Sequence, residues 1–341
     1  LRLVWMLVVV LTALALYCGY WFVGHAQLTQ RIDALVKNLP AYGWQIDYDT
    51  LDTVGFPSRF DTTVTNLNLY NPAQDLGWQT PSFKVYAISY QPHKIVARWP
   101  QTQQITLFGQ PIAVDSSSMM GSGRIGLSTD LPLEEATIDG RDLVLTSDFG
   151  WQARLDRLLV AMRTAPETED GAAAPQTDLP VYDTYAGVQN LVLPAGIRAA
   201  LDPQNTLPPA IAAIDIDLQV ALAAPIDRHL TTMPPLDSVN LRRVHLQWGD
   251  VQLTATGTLH PDATGRAEGE VAVTLNGWRK LIDLAVAAGA LLPERADQLA
   301  MLLGALGQGE SLSLTLTVSQ GVLRYGPIPL MPLPAILQPA R

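Results

Sequence analysis

Gly121-Ser122-Gly123-Arg124-Ile125-Gly126 has the G-x-G-x-x-G spacing that brings a helix N-terminus up to the pyrophosphate of a dinucleotide. The following residues, Leu127 to Pro132, cannot open that helix, so the glycines are expected in a Ser/Gly hairpin loop starting near Ser116. The histidines, His25, His93, His229, His245 and His260, show neither H-E-x-x-H nor H-x-H spacing; His245 and His260 are expected at the surface or edge of strands. Asp47 and Asp49, and Asp215 and Asp217, stand two apart, so in a strand each pair projects from one face. A metal or glycosidase site needs such carboxylates to converge with partners in a pocket, whereas acids alternating with apolar residues form the wet face of a sheet. No G-x-S-x-G elbow, Ser-x-x-Lys motif or Walker loop occurs. No catalytic residue, metal ligand or cofactor is therefore assigned. Triads are set by geometry, which keeps a hydrolase with an unseen triad as a third alternative below.

Composition narrows the field. The 341 residues carry 22 Lys+Arg against 32 Asp+Glu, a formal charge of −10 that argues against a nucleic-acid partner. Only 16% of residues are charged while 48% are apolar, so either the core is large or apolar surface has a use. Cys18 is the single cysteine, which leaves no disulfide or cysteine metal site.

Leu3 to Val23 is a run of 21 uncharged residues, roughly 32 Å as a helix and about the thickness of a bilayer's hydrocarbon. Trp5, Tyr17, Tyr20, Trp21 and Phe22 lie towards its ends, where interfacial aromatics collect, and Arg2 favours an N-in, C-out orientation. The expectation is a transmembrane anchor over residues 1–24, with residues 3–23 in the inner (cytoplasmic) membrane and the bulk of the chain in the periplasm. A cleaved signal peptide is the rival reading, though Gly24-His25-Ala26 is a poor cleavage site. Lipidation is disfavoured by Tyr17 before Cys18, and Leu1 in place of Met leaves the true start open.

Leu28, Ile32, Leu35, Val36 and Leu39 have helical spacing, stopped by Pro40 and Gly43. Beyond them the period changes to two. Strands are expected over Arg59–Tyr70, Phe83–Tyr90 paired with His93–Trp99 across Gln91-Pro92, Gln104–Phe108, Pro111–Asp115 and Asp142–Ser147. The second half adds Ile214 to Leu222, Trp248–His260, Glu270–Leu275 and Ser311–Val318, with a turn over Pro261–Gly265. Residues 165–180, acidic and rich in small residues, read as a linker or mobile loop between β-rich halves at 25–164 and 181–341. Gly150-Trp151 and Gly277-Trp278 both read G-W-x-x-x-[L/I]-D and each is expected to open a helix, which raises an internal duplication. The fold class is thus mainly β with a few short helices: one transmembrane helix, then an elongated, half-closed antiparallel sheet.

A sheet with a continuous apolar face must cover it, close on itself, or hold something apolar. Leu312, Leu314, Leu316, Ile214, Ile216 and Leu218 are the residues expected to line a groove for membrane lipid; an ordinary sandwich with two packed faces is the alternative. Gly55-Phe56-Pro57-Ser58-Arg59-Phe60-Asp61 reads as a tight entry into a strand whose Phe60 faces the core, with Arg59 as the residue available to a lipid head group.

Three stretches carry a resemblance: Gly55 to Asp61, Trp78-Gln79-Thr80-Pro81 leading to Tyr90-Gln91-Pro92-His93, and Gly321 to Leu330. They resemble a family of membrane-anchored proteins of alphaproteobacteria known as a domain of unknown function (DUF2125), from anchor to C-terminus. More distantly the layout is similar to AsmA-like envelope proteins, which implies a role in envelope maintenance or in moving lipid between membranes. The resulting expectation is a non-enzymatic lipid-binding envelope protein. The second alternative is an interaction scaffold that pairs its sheet edges with an envelope protein partner.

Overall fold

Period-two alternation becomes hydrogen-bonded ladders in the computed structural model, which describes residues 2–166, 179–230, 232–289, 291–306 and 310–333. The chain is mainly antiparallel β with one long apolar helix at its N-terminus, as the patterning predicts. It divides into two units, Leu1–Ile125 with Val144–Gly150, and Gly126–Leu143 with Trp151–Arg341.

The first unit opens with α1 (Arg2–Asn38), in which the apolar run and the amphipathic stretch after it are one unbroken helix. Pro40 enters a 3-10 turn over Leu39–Tyr42, and Gly43 ends it at φ 80°, a left-handed position glycine takes without strain. The strands are β1 (Gln45–Asp47), β2 (Thr50–Val54), β3 (Arg59–Asn71), β4 (Leu76–Ile88), β5 (Gln91–Arg98), β6 (Thr102–Leu107), β7 (Gln110–Asp115) and β8 (Ser118–Ile125). β1 and β2 pair with β3, and β3 pairs with β4. β5 and β6 run end to end along β4, while β8 and β7 run back along β5 and β6, so the chain meanders from each long strand to the next.

Two sequence expectations change here. The β4–β5 turn is Ser89-Tyr90, with Gln91 and Pro92 already inside β5. The Ser/Gly segment expected as a loop is β8: Gly121 and Gly123 stand opposite Ala97 and Ile95. A complete ladder on β5 outweighs the low strand preference of serine and glycine, and the G-x-G-x-x-G spacing has no helix behind it.

β9 (Leu133–Ser147) starts well before Asp142 and gives its last residues to the first unit, opposite β7. The second unit continues with β10 (Gln152–Thr164), β11 (Val181–Val192), α2 (Ala195–Leu201), β12 (Ala210–Leu222), β13 (Leu236–Trp248), β14 (Val251–Pro261) and β15 (Ala267–Asn276). It ends with α3 (Trp278–Ala287), α4 (Pro293–Leu306), β16 (Ser311–Ser319), β17 (Val322–Tyr325) and β18 (Ile328–Pro332). From β9 onwards every strand pairs antiparallel with its successor. The run expected as one strand from Trp248 breaks at Gly249-Asp250, so Trp248 closes β13.

The expected duplication fails. Gly277-Trp278 opens α3, but Gly150-Trp151 leads into β10. Leu155, Leu158, Leu159 and Met162 fit helical spacing, yet they sit between β9 and β11, whose ladders satisfy the backbone on both edges and override the local pattern. Nor does the chain divide at 165–180. Thr164 lies opposite Tyr182 and Ala165 N donates to Val181 O at 2.8 Å, so that segment links paired strands of one unit. Residues 167–178 of the expected linker lie outside the described residues.

α3 and α4 pack over one end of the second unit's sheet. Trp278, 1% exposed, meets Ile282, Ala296 and Leu312, with Leu275 and Leu314 around them. Trp278→Ala is expected to lower unfolding free energy by about 3–5 kcal/mol, and Val160→Ala, at a 41% exposed position, by less than about 1 kcal/mol. Urea unfolding of the full chain in detergent checks both.

Candidate functional site

The register brings the six apolar residues of β12 and β16 onto one face. Leu312 stands opposite Leu275, which faces Leu253, then Leu246, Ile214, Val188 and Leu158 in turn. The next row is Leu314, Val273, Ala255, Val244, Ile216, Ala186 and Val160. The third is Leu316, Val271, Gly257, Leu241, Leu218, Thr184 and Met162. Directly opposed residues of antiparallel strands share a face, so these rows form one apolar surface across β10 to β16. A bulge at Arg242 in β13 adds one residue against β12 and β14 without losing the phase. At Gly257 a Cβ would run into the Glu270 carbonyl, so the third row is thinnest where β14 and β15 approach most closely.

Cover over this face is uneven. Leu312 is only 1% exposed beneath α3 and α4, and Leu314 packs against the same helices. Ile214 lies against a cluster of Leu207, Trp248 and Leu284, and Leu316 is buried. At this end the chain's own amphipathic helices fill the surface. Towards β10 the cover thins: Leu158, Met162, Ile216 and Leu218 are half-buried and Val160 is exposed. From β10 to β13 that thinly covered strip is about 14 Å wide at normal strand spacing.

The opposite face is polar and ion-paired. The hydroxyl of Tyr185 donates to Asp215 at 2.6 Å and Arg242 comes within 3.9 Å of Asp217, so these carboxylates stay apart, each with its own partner. Asp183 gathers Arg163 at 3.2 Å, Gln219 at 3.3 Å and Arg242. Sequence reading missed this group because it is spread over β10, β11, β12 and β13 and forms only once they pair. Arg157 donates to both oxygens of Asp139 at 2.9 and 3.2 Å and holds that carboxyl below its ordinary range, against the effect of its partial burial. At Asp202 burial opposes ionisation, but the N–H groups of Leu207 and Thr206 and the Thr206 hydroxyl outweigh it, so its pKa too is lowered.

A second candidate lies in the first unit, where α1 is locked to the β2–β3 and β4–β5 turns. Tyr17 donates to Ser89 Oγ at 2.9 Å, Tyr20 to Ser89 O at 2.8 Å and the Trp21 indole to Arg59 O at 2.8 Å. One turn further on, His25 meets Thr53 O at 3.1 Å, and Trp21 stacks on Phe60 and His25. Spacing of three and four residues puts these side chains on one stripe of the helix. Gly55, at φ 114°, admits the tight turn: a Cβ there would meet Arg59 O at 2.8 Å. The Gly-Phe-Pro-Ser-Arg-Phe phrase is therefore a socket for the helix. Arg59 itself pairs with Asp61 at 2.7 Å and lies 5.7 Å from the Tyr86 ring centre, with its side chain half exposed. Nothing in the local sequence of His25 points to Thr53, 28 residues away. His245 and His260 lie in strands, as expected, near Thr254 and Glu268.

The residues from Trp21, the first indole of the socket, to 334 match a family described as an uncharacterised protein conserved in bacteria. The chain belongs to the DUF2125 family. The matched residues take in Trp21, the Gly55–Phe60 turn and the whole apolar face; the earlier part of α1, with Tyr17 and Tyr20, lies before them. No curated protein and no solved structure matches this DUF2125 chain.

The two lowered carboxyls give a pH dependence of known sign. Their contribution is fully present above the unfolded carboxyl value, about 3.9, and is lost as pH falls through their lower folded values. The urea midpoint is expected to drop as acid is added below about pH 4, and Asp139→Asn to make that drop shallower. A midpoint unchanged by acid would remove both interactions from the stability account.

Proposed function

We propose that this DUF2125 protein is a non-enzymatic, membrane-anchored envelope protein of the periplasm that holds lipid, or another apolar ligand, along the β10–β13 part of its sheet. The thinly covered apolar strip over Leu158, Val160, Met162, Ile216 and Leu218 is the observation that carries this reading. Those side chains are half-buried or exposed although the surface continues under α3 and α4, where the chain covers it itself. An acyl chain replaces water along such a strip at a gain of about 25 cal/mol for each Å² of apolar surface removed from solvent. The socket supports an anchor that stays attached: Tyr17, Tyr20 and Trp21, inside the apolar run, bond to the folded domain. α1 is long and apolar enough to cross a membrane. The resemblance in layout to AsmA-like proteins supports a place in envelope maintenance or lipid transport.

Native mass spectrometry of the detergent-purified full chain, with lipid extraction, tests the proposal. Phospholipid at defined stoichiometry is expected, lost in Ile216→Asp and Leu218→Asp but kept in Thr315→Asp, which faces the other side. A monodisperse, lipid-free wild type would overturn lipid binding and favour an envelope protein partner.

A further inference from the structure

The socket fixes the first unit's depth relative to the bilayer, and the depth has a consequence for two turns. Counted from Leu3, Tyr17 to Trp21 lies about 21–27 Å along α1. A hydrocarbon core is about 30 Å thick. Arg2 bounds the uncharged run, so α1 spans only if its Tyr17–Val23 part is at membrane depth. That part is the one bonded to the Ser89-Tyr90 turn and to the Gly55–Arg59 turn. A helix that kept both turns in water would have to cross with Leu3 to Leu16, about 21 Å and a third too short.

We propose that the β2–β3 and β4–β5 turns are seated in the membrane interface, as a second contact beside the anchor. The inference rests on α1 being a membrane anchor. Three observations support it independently of the length. First, large apolar side chains are exposed there beside Ser58 and Arg59: Phe56 is 50% and Tyr90 66% exposed, with Val54, Ile88 and Phe22 also exposed. Phe56 meets Phe22 and Trp21 at 5.4 and 5.2 Å between ring centres, so the patch is continuous with the helix surface. Second, the backbone of Ser89, which carries the β4–β5 turn against the helix, is satisfied. Ser89 is fully buried; its N–H donates to Ser58 O, its hydroxyl to Pro57 O, and its carbonyl accepts from Tyr20. Irregular backbone is tolerated at membrane depth only when paired in this way. Third, basic residues lie beside the patch in a chain of net charge −10, Arg59 among them already paired with Asp61. Arg59 opposes Ile88, and Lys94, one step beyond the partner of Ala87, opposes Arg124. This places basic side chains level with lipid phosphates once the apolar tips are inserted.

The test uses the full chain with Cys18→Ala and one new cysteine carrying an environment-sensitive fluorophore, reconstituted in phosphatidylcholine–phosphatidylglycerol vesicles. Probes sit at Leu14→Cys in the span, at Phe56→Cys and Tyr90→Cys in the turns, and at Phe108→Cys, 89% exposed in the turn at the far end of β4. Spin-labelled lipids are expected to quench Leu14→Cys most strongly from deep positions, and Phe56→Cys and Tyr90→Cys most strongly from positions near the head group. Phe108→Cys is expected to lose nothing. Quenching at Leu14→Cys alone would overturn the seating of the turns while leaving the anchor intact. No quenching at Leu14→Cys would overturn the anchor and the seating together.

Discussion

Antiparallel pairing that holds one parity across seven strands is the constraint on which the second unit rests. Had β12 slipped by one residue against its neighbours, Ile216 and Leu218 would have changed places with Asp215 and Asp217 on the polar face. The phase is held by the ladders between successive strands, by the bulge at Arg242, and by the ion pairs that tie Asp183 to neighbouring strands on the polar face. Polar and apolar faces are therefore two aspects of one register. Asp215 and Asp217, which look like candidate chemistry in the sequence, lie on that polar face, each with a partner on a neighbouring strand.

The helices decide which part of that surface is used up. α3 and α4 interrupt the meander between β15 and β16 and place Trp278, Ile282 and Ala296 over the Leu275–Leu312 end. Among the described residues no helix lies between β12 and β13, and those of β10 to β13 keep half-exposed apolar side chains. In the first unit the same division of labour occurs on a smaller scale. A stripe of α1 packs on the sheet while the rest of the helix stays exposed, so one element is both a membrane-compatible rod and part of a folded domain.

Much of this was legible in the sequence. Strict alternation in Ser311 to Val318 and Ile214 to Leu222 named both strands and their dry faces, because period two has a single structural meaning when one side is wet. It did not reveal that Leu312 is capped by the chain's own helices, since nothing in the helix expected from Gly277-Trp278 names the strand it covers. β10 was misread because leucines at positions 155, 158, 159 and methionine at 162 satisfy a helical template until flanking strands are present. The socket was half visible. The Gly-Phe-Pro phrase announced a tight turn, but its partner, Trp21, looked like an interfacial aromatic until the turn was folded against it.

Site-specific photo-crosslinking in membranes tests directly whether the apolar strip between β10 and β13 holds an apolar ligand. A benzophenone amino acid would replace Val160, Ile216 or Leu218 on the strip, and Thr315 on the opposite face, in the full chain expressed in a bacterial envelope. Lipid adducts are expected from the three strip positions and not from Thr315. Equal labelling at Thr315, or adducts only to protein from the strip, would contradict the claim.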